Sequence, residues 1–154
     1  MRPIELSIDI DLPAERVWAG LVDWPSHAEW MPLTKVEVVG GGAGHGEGER
    51  FIGWTGFRPL AIADRMTITG WDPPRRLDVV KTGRLLKGSA WFEVRPLGSD
   101  RSQVVWCEAL VPPFGAPGRL LTPFLAVGTR AVIGLALRRF ARYAVRAGTG
   151  GGRA

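Results

Sequence analysis

The segment from Pro117 to Ala147 constrains the fold of this chain more than any other part of the sequence. It is the only stretch long and periodic enough to predict a long helix, and from Thr129 onward apolar residues recur at helical spacing. The apolar face consists of Val132, Ile133, Ala136, Phe140 and Ala144, with Tyr143 beside it. Five arginines lie off that face: Arg130, Arg138, Arg139, Arg142 and Arg146. Such a helix must cover a surface that other elements build.

The face of this helix includes small residues, namely Thr129, Ala136, Ala144 and Ala147. A helix that lies on a sheet through small residues either packs closely against it or leaves a space between the two. The space is the basis of a ligand-binding hypothesis, and close packing is the alternative.

The length of 154 residues predicts one domain, which we place at residues 1–147, followed by a flexible glycine-rich tail at 148–154. The single cysteine, Cys107, excludes an intrachain disulfide and a multi-cysteine zinc site. No apolar run reaches the ~18 residues of a membrane-spanning helix. The N-terminus carries acidic residues where a signal peptide needs an apolar core. These features predict a soluble, cytoplasmic protein.

Positive charge is concentrated toward the C-terminus. From Val111 onward there are seven arginines and no Asp or Glu, while residues 1–110 carry 13 basic and 15 acidic residues. Asymmetry of this kind is typical of membrane-surface or nucleic-acid binding, and also of a solvated arginine face. No helix-turn-helix, ribonucleoprotein or zinc-finger signature is present, so we expect no nucleic-acid binding.

Seven segments ahead of the long helix have the alternation or composition of strands. They are residues 3–11, 35–40, 50–56, 60–71, 76–81, 85–95 and 102–110, with two short helices predicted after the first. Consecutive strands joined by short turns form an antiparallel sheet. The sequence therefore predicts an α+β fold, in which a curved antiparallel sheet of about seven strands is covered on its concave face by the long C-terminal helix.

Residues 40–48 are rich in glycine but do not match a phosphate-binding loop. No Lys-Ser/Thr pair follows them, and they lead into a strand instead of a helix N-terminus. We predict a flexible hairpin loop in which His45 is exposed.

Seven motifs spread over the chain are informative together. They are Ile8–Trp18, Asp23-Trp24-Pro25, Trp30-Met31-Pro32, Asp64-Arg65-Met66, Trp71–Leu77, Trp91–Val94 and Val105–Glu108. With the order of elements, they resemble the SRPBCC or START-like helix-grip superfamily, and most closely its polyketide cyclase/dehydrase-like branch. The resemblance covers essentially the whole chain and implies an elongated, mostly apolar pocket between the sheet and the long helix. It specifies fold more than function, because the superfamily includes cyclases, lipid carriers and hormone receptors.

Asp64 is the most informative polar residue. It shares a strand face with Leu60, Ile62, Met66 and Ile68, so an inward face would place a carboxylate in an apolar pocket. Such a group acts as a general acid or base, orients a ligand hydroxyl, or is a structural partner of an arginine or a backbone amide.

Glu108 and Lys81 are the other two candidates for catalysis. Glu108 shares a face of the last strand with Trp106, but the opposite face, which contains Cys107, is an equally good candidate for the core. Lys81 ends its strand, where it pairs with Asp64 or Glu108 or lies at a pocket mouth. The complete set of predicted ligand contacts is Trp54, Ile62, Asp64, Met66, Val79, Ala90, Phe92, Trp106, Glu108, Phe124, Ile133, Ala136 and Phe140.

Neither a nucleophile triad nor metal-ligand spacing is evident, so we expect no metal and no cofactor. The two histidines, His27 and His45, fall in the second short helix and the glycine-rich loop. The predicted pocket walls therefore contain no His, and only Tyr143 offers a phenol, which weakens a cyclase or dehydratase interpretation.

The leading prediction is that a monomer or homodimer binds one hydrophobic small molecule, such as a lipid, polyketide or isoprenoid, between the sheet and the long helix. The first alternative is a polyketide cyclase/aromatase-type enzyme that uses Asp64, Glu108 and Lys81. The second is a membrane- or partner-docking module, because the segment Leu120–Val127 is apolar on nearly every side and precedes the arginines. Pro123 is expected to kink or restart the helix there, so the same segment is also a candidate gate at the pocket entrance.

Overall fold

A computed structural model of the protein describes residues 2–57, 59–83, 85–112 and 122–150. Its strands are β1 Ile4–Ile10, β2 Thr34–Val39, β3 Arg50–Thr55, β4 Ile62–Asp72, β5 Arg76–Thr82, β6 Lys87–Pro96 and β7 Ser102–Val111. They form one antiparallel sheet in the order β1-β7-β6-β5-β4-β3-β2. From β2 to β7 each strand pairs with the next strand in the chain, and β1 pairs with β7. This confirms the predicted α+β architecture.

The helices lie on one side of this sheet. Helix α1 spans Ala14–Leu21, a 3-10 turn spans Trp24–Ser26, α2 spans His27–Trp30, and α3 spans Thr122–Gly150. Glu15 lies in the first turn of α1, where the helix dipole favours a carboxylate. Ser26 occupies the N-cap position of α2, but its hydroxyl donates to the Asp23 carbonyl oxygen at 2.8 Å instead of capping the helix.

The described part of helix α3 starts at Thr122, one residue before Pro123. The predicted start at Pro117, and Leu120 and Leu121 of the predicted gate, fall outside the described residues.

The C-terminal end of α3 extends to Gly150, three residues into the segment that the sequence assigned to a tail. Arg16 Nη1 donates to the Gly148 carbonyl oxygen at 2.9 Å, which ties this end of α3 to α1.

The buried face of α3 differs from the predicted one at a single position. It consists of Ile133, Ala136, Leu137, Phe140 and Ala144. Val132, which the apolar pattern placed there, is 49% exposed, and Leu137 is buried in its stead. Adjacent helical residues differ by 100° in direction, so Val132 lies at the margin of the stripe that Ile133, Leu137 and Phe140 define.

The small residues of α3 bring it close to its neighbours instead of leaving a space. Ala136 and Phe140 are fully buried, and the Phe140 ring lies 4.9 Å from that of Trp30. On α1, a Cβ at Gly20 would already be 3.6 Å from the Phe140 ring. Close packing, the alternative that the sequence left open, therefore describes this part of the interior.

The glycine-rich hairpin loop between β2 and β3 is anchored to the helical layer. Trp24 Nε1 donates to the Gly44 carbonyl oxygen at 3.0 Å, and Gly44 has φ +75° with no room for a Cβ against the Trp24 ring. His45 is exposed, as predicted, but its Nε2–H donates to the Val22 carbonyl oxygen at 3.0 Å and its ring stacks on Trp71. These contacts fix the loop over one end of α1.

Candidate functional site

A cavity of about 60 Å³ lies between the inward face of the sheet and the segment that contains α2. It is lined by Trp24, His27, Met31, Thr34, Val36, Phe51, Gly53, Thr55, Asp64, Met66, Leu77, Val79, Lys81, Ala90, Phe92, Trp106 and Glu108. Most of these side chains are apolar. No described residue of α3 lines this cavity, which corrects the prediction of a space between the sheet and the long helix.

Three ionisable side chains meet on the sheet wall of the cavity. The ammonium nitrogen of Lys81 lies 2.5 Å from Asp64 Oδ2 and 2.8 Å from Glu108 Oε1. The side chains of Lys81, Asp64 and Glu108 are 8%, 10% and 8% exposed, respectively. Trp106 Nε1 donates to Glu108 Oε2 at 3.1 Å. We call Asp64, Lys81 and Glu108 the buried triad.

The sheet register and two small residues make the buried triad possible. Glu108 on β7 and Lys81 on β5 are separated by β6, whose facing residues are Ala90 opposite Glu108 and Gly88 opposite Lys81. The Lys81 side chain can therefore pass over β6 to reach Glu108. Gly88 has φ +142°, and a Cβ there would collide with the backbone of Ala109, so this position requires glycine.

The inward face of β7, which the sequence left open, is the one that carries Trp106 and Glu108. Val105 and Cys107 point to the other side of the sheet but are nevertheless buried. Cys107 lies opposite Trp91 of β6, which helps to cover it. Because β7 is buried on both faces and both carry mainly apolar side chains, the sequence alone could not show which face points into the cavity.

Burial determines how the buried triad holds protons. Burial raises the pKa of the Asp64 carboxyl above its ordinary 3.8, and the nearby Glu108 charge adds to this, although Lys81 opposes it. Burial by itself would lower the pKa of Lys81, but Glu108 and Asp64 outweigh it, and that pKa lies above the ordinary 10.5. Lys81 therefore keeps its charge, and Asp64 is the member of the triad that holds a proton more readily than usual.

Asp64 is also the member with an unused polar atom. Its Oδ1 is buried and has no hydrogen-bond partner among the described residues. Both carboxylate oxygens of Glu108 are engaged, one by Lys81 and one by Trp106. Because an unpartnered buried polar atom costs about 1–3 kcal/mol, Asp64 Oδ1 is the atom on this wall that gains most from a ligand or a water molecule.

His27 stands on the helical wall of the cavity, which corrects the expectation that the walls contain no histidine. Its Nε2–H donates to the Leu21 carbonyl oxygen at 2.8 Å. Burial lowers the pKa of His27 to about 4, although the Leu21 carbonyl oxygen and Asp23 oppose the shift. His27 is therefore neutral at physiological pH, and the nitrogen that remains free, Nδ1, is a hydrogen-bond acceptor.

Eight residues predicted from the sequence line the cavity: Asp64, Met66, Val79, Lys81, Ala90, Phe92, Trp106 and Glu108. Trp54 does not, because on β3 it pairs with Lys35 and Ala63 on the outward face, where its Nε1 donates to Glu37 Oε2 at 3.2 Å. Ile62 is 40% exposed at the start of β4.

Four residues predicted on the long helix are likewise outside the cavity wall. Phe124 is 77% exposed, and Ile133, Ala136 and Phe140 are buried in the close-packed part of the core. The contacts that sequence reasoning missed are Trp24, His27, Met31, Thr34, Val36, Phe51, Gly53, Thr55 and Leu77. On β3, alternate residues point to the same face of the sheet. The sequence would have predicted Phe51 and Thr55 as cavity contacts if the face of Phe51, instead of that of Trp54, had been taken as the inward one.

Other kinds of site are less well supported. Within residues 2–57, 59–83, 85–112 and 122–150, no group of three or more His, Cys, Asp or Glu side chains is arranged to hold a metal ion. In the same part of the chain, no helix is both long enough and apolar enough to cross a bilayer.

Comparisons with known proteins agree with this architecture. The sequence model of the family described as polyketide cyclase / dehydrase and lipid transport matches residues 1–145. The structure of the Zhui aromatase/cyclase from Streptomyces sp. R1128 has a TM-score of 0.76 at 19% identity, covering 99% of this chain and 99% of that one. The protein TTHA0849 from Thermus thermophilus has a TM-score of 0.78 at 16% identity, covering 94% of this chain and 98% of that one.

A third similar structure is the di-domain ARO/CYC BexL from the BE-7585A biosynthetic pathway, with a TM-score of 0.69 at 21% identity, covering 92% of this chain and 46% of that one. Among curated proteins, none matches the sequence. At these identities the structural likeness shows the fold, whereas function must be argued from the cavity itself.

Proposed function

The chain belongs to the polyketide cyclase / dehydrase and lipid transport family, and from this premise we propose that it binds a hydrophobic small molecule in the cavity beside α2. The observation that carries the proposal is the cavity wall, which is mostly apolar but presents one buried, unpartnered carboxyl oxygen, Asp64 Oδ1. Apolar sites with a few converging polar groups are the usual form of small-molecule sites.

The ligand should be amphipathic. Asp64 Oδ1 and the Nδ1 of the neutral His27 on the opposite wall are both hydrogen-bond acceptors that a ligand hydroxyl can meet. A molecule with hydroxyl groups at one end and a hydrocarbon body therefore suits both groups and the apolar wall. Lipids, polyketides and isoprenoids have this character.

Binding requires the cavity to widen. A volume of about 60 Å³ accommodates a few water molecules, whereas drug-sized ligands occupy sites of about 300–1,000 Å³. Two walls carry methionines, Met31 and Met66, whose unbranched side chains change rotamer easily. We expect these two side chains to move when a ligand enters.

Titration with the fluorescent fatty acid cis-parinaric acid tests this proposal. The purified protein should bind the probe saturably, and Ala90→Leu, which directs a larger side chain into the cavity, should weaken binding at least tenfold. Ala63→Leu adds the same atoms on the outward face of the sheet and should bind like the wild type. Absence of saturable binding to the wild type, or equal loss in both folded variants, contradicts the proposal.

A second candidate function is catalysis of ring closure on a poly-β-ketone, and convergence of the buried triad on one cavity favours it. In such an aldol step the Asp64 carboxylate takes a proton from the enolising carbon. The enolate carbon then bonds to a carbonyl carbon, whose oxygen takes that proton from Asp64, so the carboxylate is restored and no redox partner is needed. Lys81, positively charged beside Asp64, stabilises the carboxylate before and after the step.

The catalytic role is tested with an N-acetylcysteamine thioester of a poly-β-ketone, with products identified by mass spectrometry. The wild type should accelerate ring closure over the uncatalysed rate, and Asp64→Asn should abolish that acceleration while it still binds cis-parinaric acid. An unchanged rate in Asp64→Asn excludes Asp64 as the acid and leaves the binding function intact.

A further inference from the structure

The two ends of the sheet differ in the residues that they expose. We define the cavity end as the one where β3, β5 and β7 finish and β2, β4 and β6 begin, and the turn end as the opposite one. At the cavity end, five apolar side chains of the described strands and their connections are at least 46% exposed: Leu33 61%, Phe57 73%, Leu60 85%, Leu85 46% and Val111 57%. At the turn end the corresponding large apolar side chains are Leu97 at 50% and Val39 at 38%.

These five side chains, which we call the apolar rim, follow one another along the sheet edge. The Gly56 amide donates to the Leu33 carbonyl oxygen at 2.9 Å, which joins the start of β2 to the connection that carries Phe57 and Leu60. Gly83, two residues before Leu85, lies against the backbone of β4 just after Leu60 and Ile62. Val111 pairs with Lys87 at the next strand ends. Single exposed leucines are ordinary on protein surfaces, but a row of five is a surface built for contact.

Helix α3 adds to this end. A Cβ at Gly134 would lie 3.7 Å from Leu6 of β1, while one at Gly148 would lie 3.0 Å from Leu12, beyond the other end of that strand. The helix therefore runs from the cavity end to the turn end. Its first described turn, which carries Phe124 at 77% exposure, lies at the cavity end.

Charge differs between the two ends as well. Among the described residues outside the strands at the cavity end, 2–3, 31–33, 56–57, 59–61, 83, 85–86 and 112, there is one cation, Arg2, and no Asp or Glu. The strand ends there add two exposed lysines, Lys35 and Lys87, and one exposed acid, Glu5. The connections between strands at the turn end carry four acids, Asp11, Glu47, Glu49 and Asp100, and two cations, Arg75 and Arg101.

We propose that the cavity end docks on the surface of a bilayer that contains anionic lipid, with the apolar rim inserted among the headgroups. Apolar tips near which exposed cations outnumber acids match the two components of such a surface, an apolar boundary below negatively charged headgroups. Leu33 is held at φ +53°, which is unfavourable for a residue with a branched side chain, and it is 61% exposed. The fold thus holds an apolar side chain outward at a conformational cost. Docking does not depend on what the cavity holds.

Vesicle flotation with matched substitutions tests the docking surface. The wild type should float with vesicles of equal parts phosphatidylcholine and phosphatidylglycerol, and remain at the bottom with phosphatidylcholine alone. Leu60→Asp, on the apolar rim, should reduce the floated fraction at least tenfold. Leu97→Asp makes the same change at the turn end and should float like the wild type.

Three results overturn the proposal. The first is failure of the wild type to float with the anionic vesicles. The second is an equal loss in Leu60→Asp and Leu97→Asp. The third is light scattering that shows a dimer in the wild type and a monomer in Leu60→Asp, with no flotation of either, since the rim then binds a second copy of the chain. Because both positions are exposed, the two variants are expected to unfold at the wild-type temperature, which circular dichroism checks.

Discussion

The two halves of the interior are enclosed by the same sheet but filled in different ways. In the packed half, Ile133, Ala136 and Phe140 of α3 are 0–1% exposed, and Phe140 contacts Trp30 at an inter-ring distance of 4.9 Å. In the cavity half, the four-residue α2 and its flanking turns face the sheet across about 60 Å³ of space. Helix α3 therefore fills the space against the sheet in its half, whereas α2 leaves a cavity in the other half.

Polar groups follow the same division. The buried triad and His27 all line the cavity half, and the α3 side chains buried in the packed half are apolar. Buried charges have a high desolvation cost, so a folded protein keeps them only where they pair with opposite charges or serve binding or catalysis. The small residues on α3 therefore serve close packing, and the polar groups lie where the helical layer is thinnest.

The largest losses of unfolding free energy should come from substitution of the most buried side chains in each half. Phe140→Ala is the substitution for the packed half. Removal of a fully buried ring leaves a void against Trp30 and α1, and should cost about 3–5 kcal/mol of unfolding free energy. Urea denaturation measures the loss, which should be the same at neutral and at mildly acidic pH because no charge is involved. A loss that varies with pH would show that the two halves are coupled.

Lys81→Met represents the cavity half and should cost a similar amount, about 3–5 kcal/mol at neutral pH, because it leaves two buried carboxylates without their cation. Unlike the Phe140→Ala loss, this one should shrink as pH falls, since protonation of Asp64, whose pKa burial raises, removes part of the uncompensated charge. The triple variant Asp64→Leu/Lys81→Met/Glu108→Met should recover most of the stability. A pH-independent loss in Lys81→Met contradicts a buried ionic triad.

The pH dependence that His27 contributes should be on the order of 3 kcal/mol. Its folded pKa of about 4 lies below the ordinary 6.5, so the unfolded chain binds the proton more readily. The stability from neutral His27 is therefore present above 6.5 and is lost as pH falls from 6.5 through 4. Asp64, whose pKa is raised, has the opposite trend, because its contribution is present below 3.8 and is lost as pH rises.

The variant His27→Gln separates these two trends. Glutamine keeps a donor for the Leu21 carbonyl oxygen but does not titrate, so the difference in unfolding free energy between wild type and His27→Gln should decline steadily between neutral pH and pH about 4. A difference that stays constant over this range would mean that His27 is not held neutral by burial.

Much of the fold could be predicted because its signals are local. The signals are the alternation of apolar and polar residues in β1 and β4, the turn residues between successive strands, and the 3.6-residue period of α3. Each of them lies within one short segment. The buried face of α3 was predicted at Ile133, Ala136, Phe140 and Ala144 for this reason. Val132 was misplaced because a period identifies the centre of a face better than its margin.

The site was less predictable because it depends on relations between segments. Asp64 and Lys81 stood out as charges on apolar strand faces, but their meeting with Glu108 depends on the register across β6 and on Gly88. Neither is visible in any single segment. His27 was missed because a four-residue helix is too short to show which face is apolar.

A Gly→Ala substitution in each half has the smallest expected effect, and it tests directly whether the ligand lies in the cavity half. A Cβ at Gly53, on the cavity wall, would lie 3.4 Å from Met66 Cε and 3.8 Å from Asp64 Cβ, which is ordinary contact. A Cβ at Gly20, in the packed half, would meet the Phe140 ring at 3.6 Å. Both Gly53→Ala and Gly20→Ala should raise the unfolding free energy by about 0.5 kcal/mol, since alanine restricts the unfolded chain. Only Gly53→Ala narrows the cavity, so it alone should weaken cis-parinaric acid binding, by a few-fold. Equal probe affinities in the two variants would place the ligand outside the cavity half.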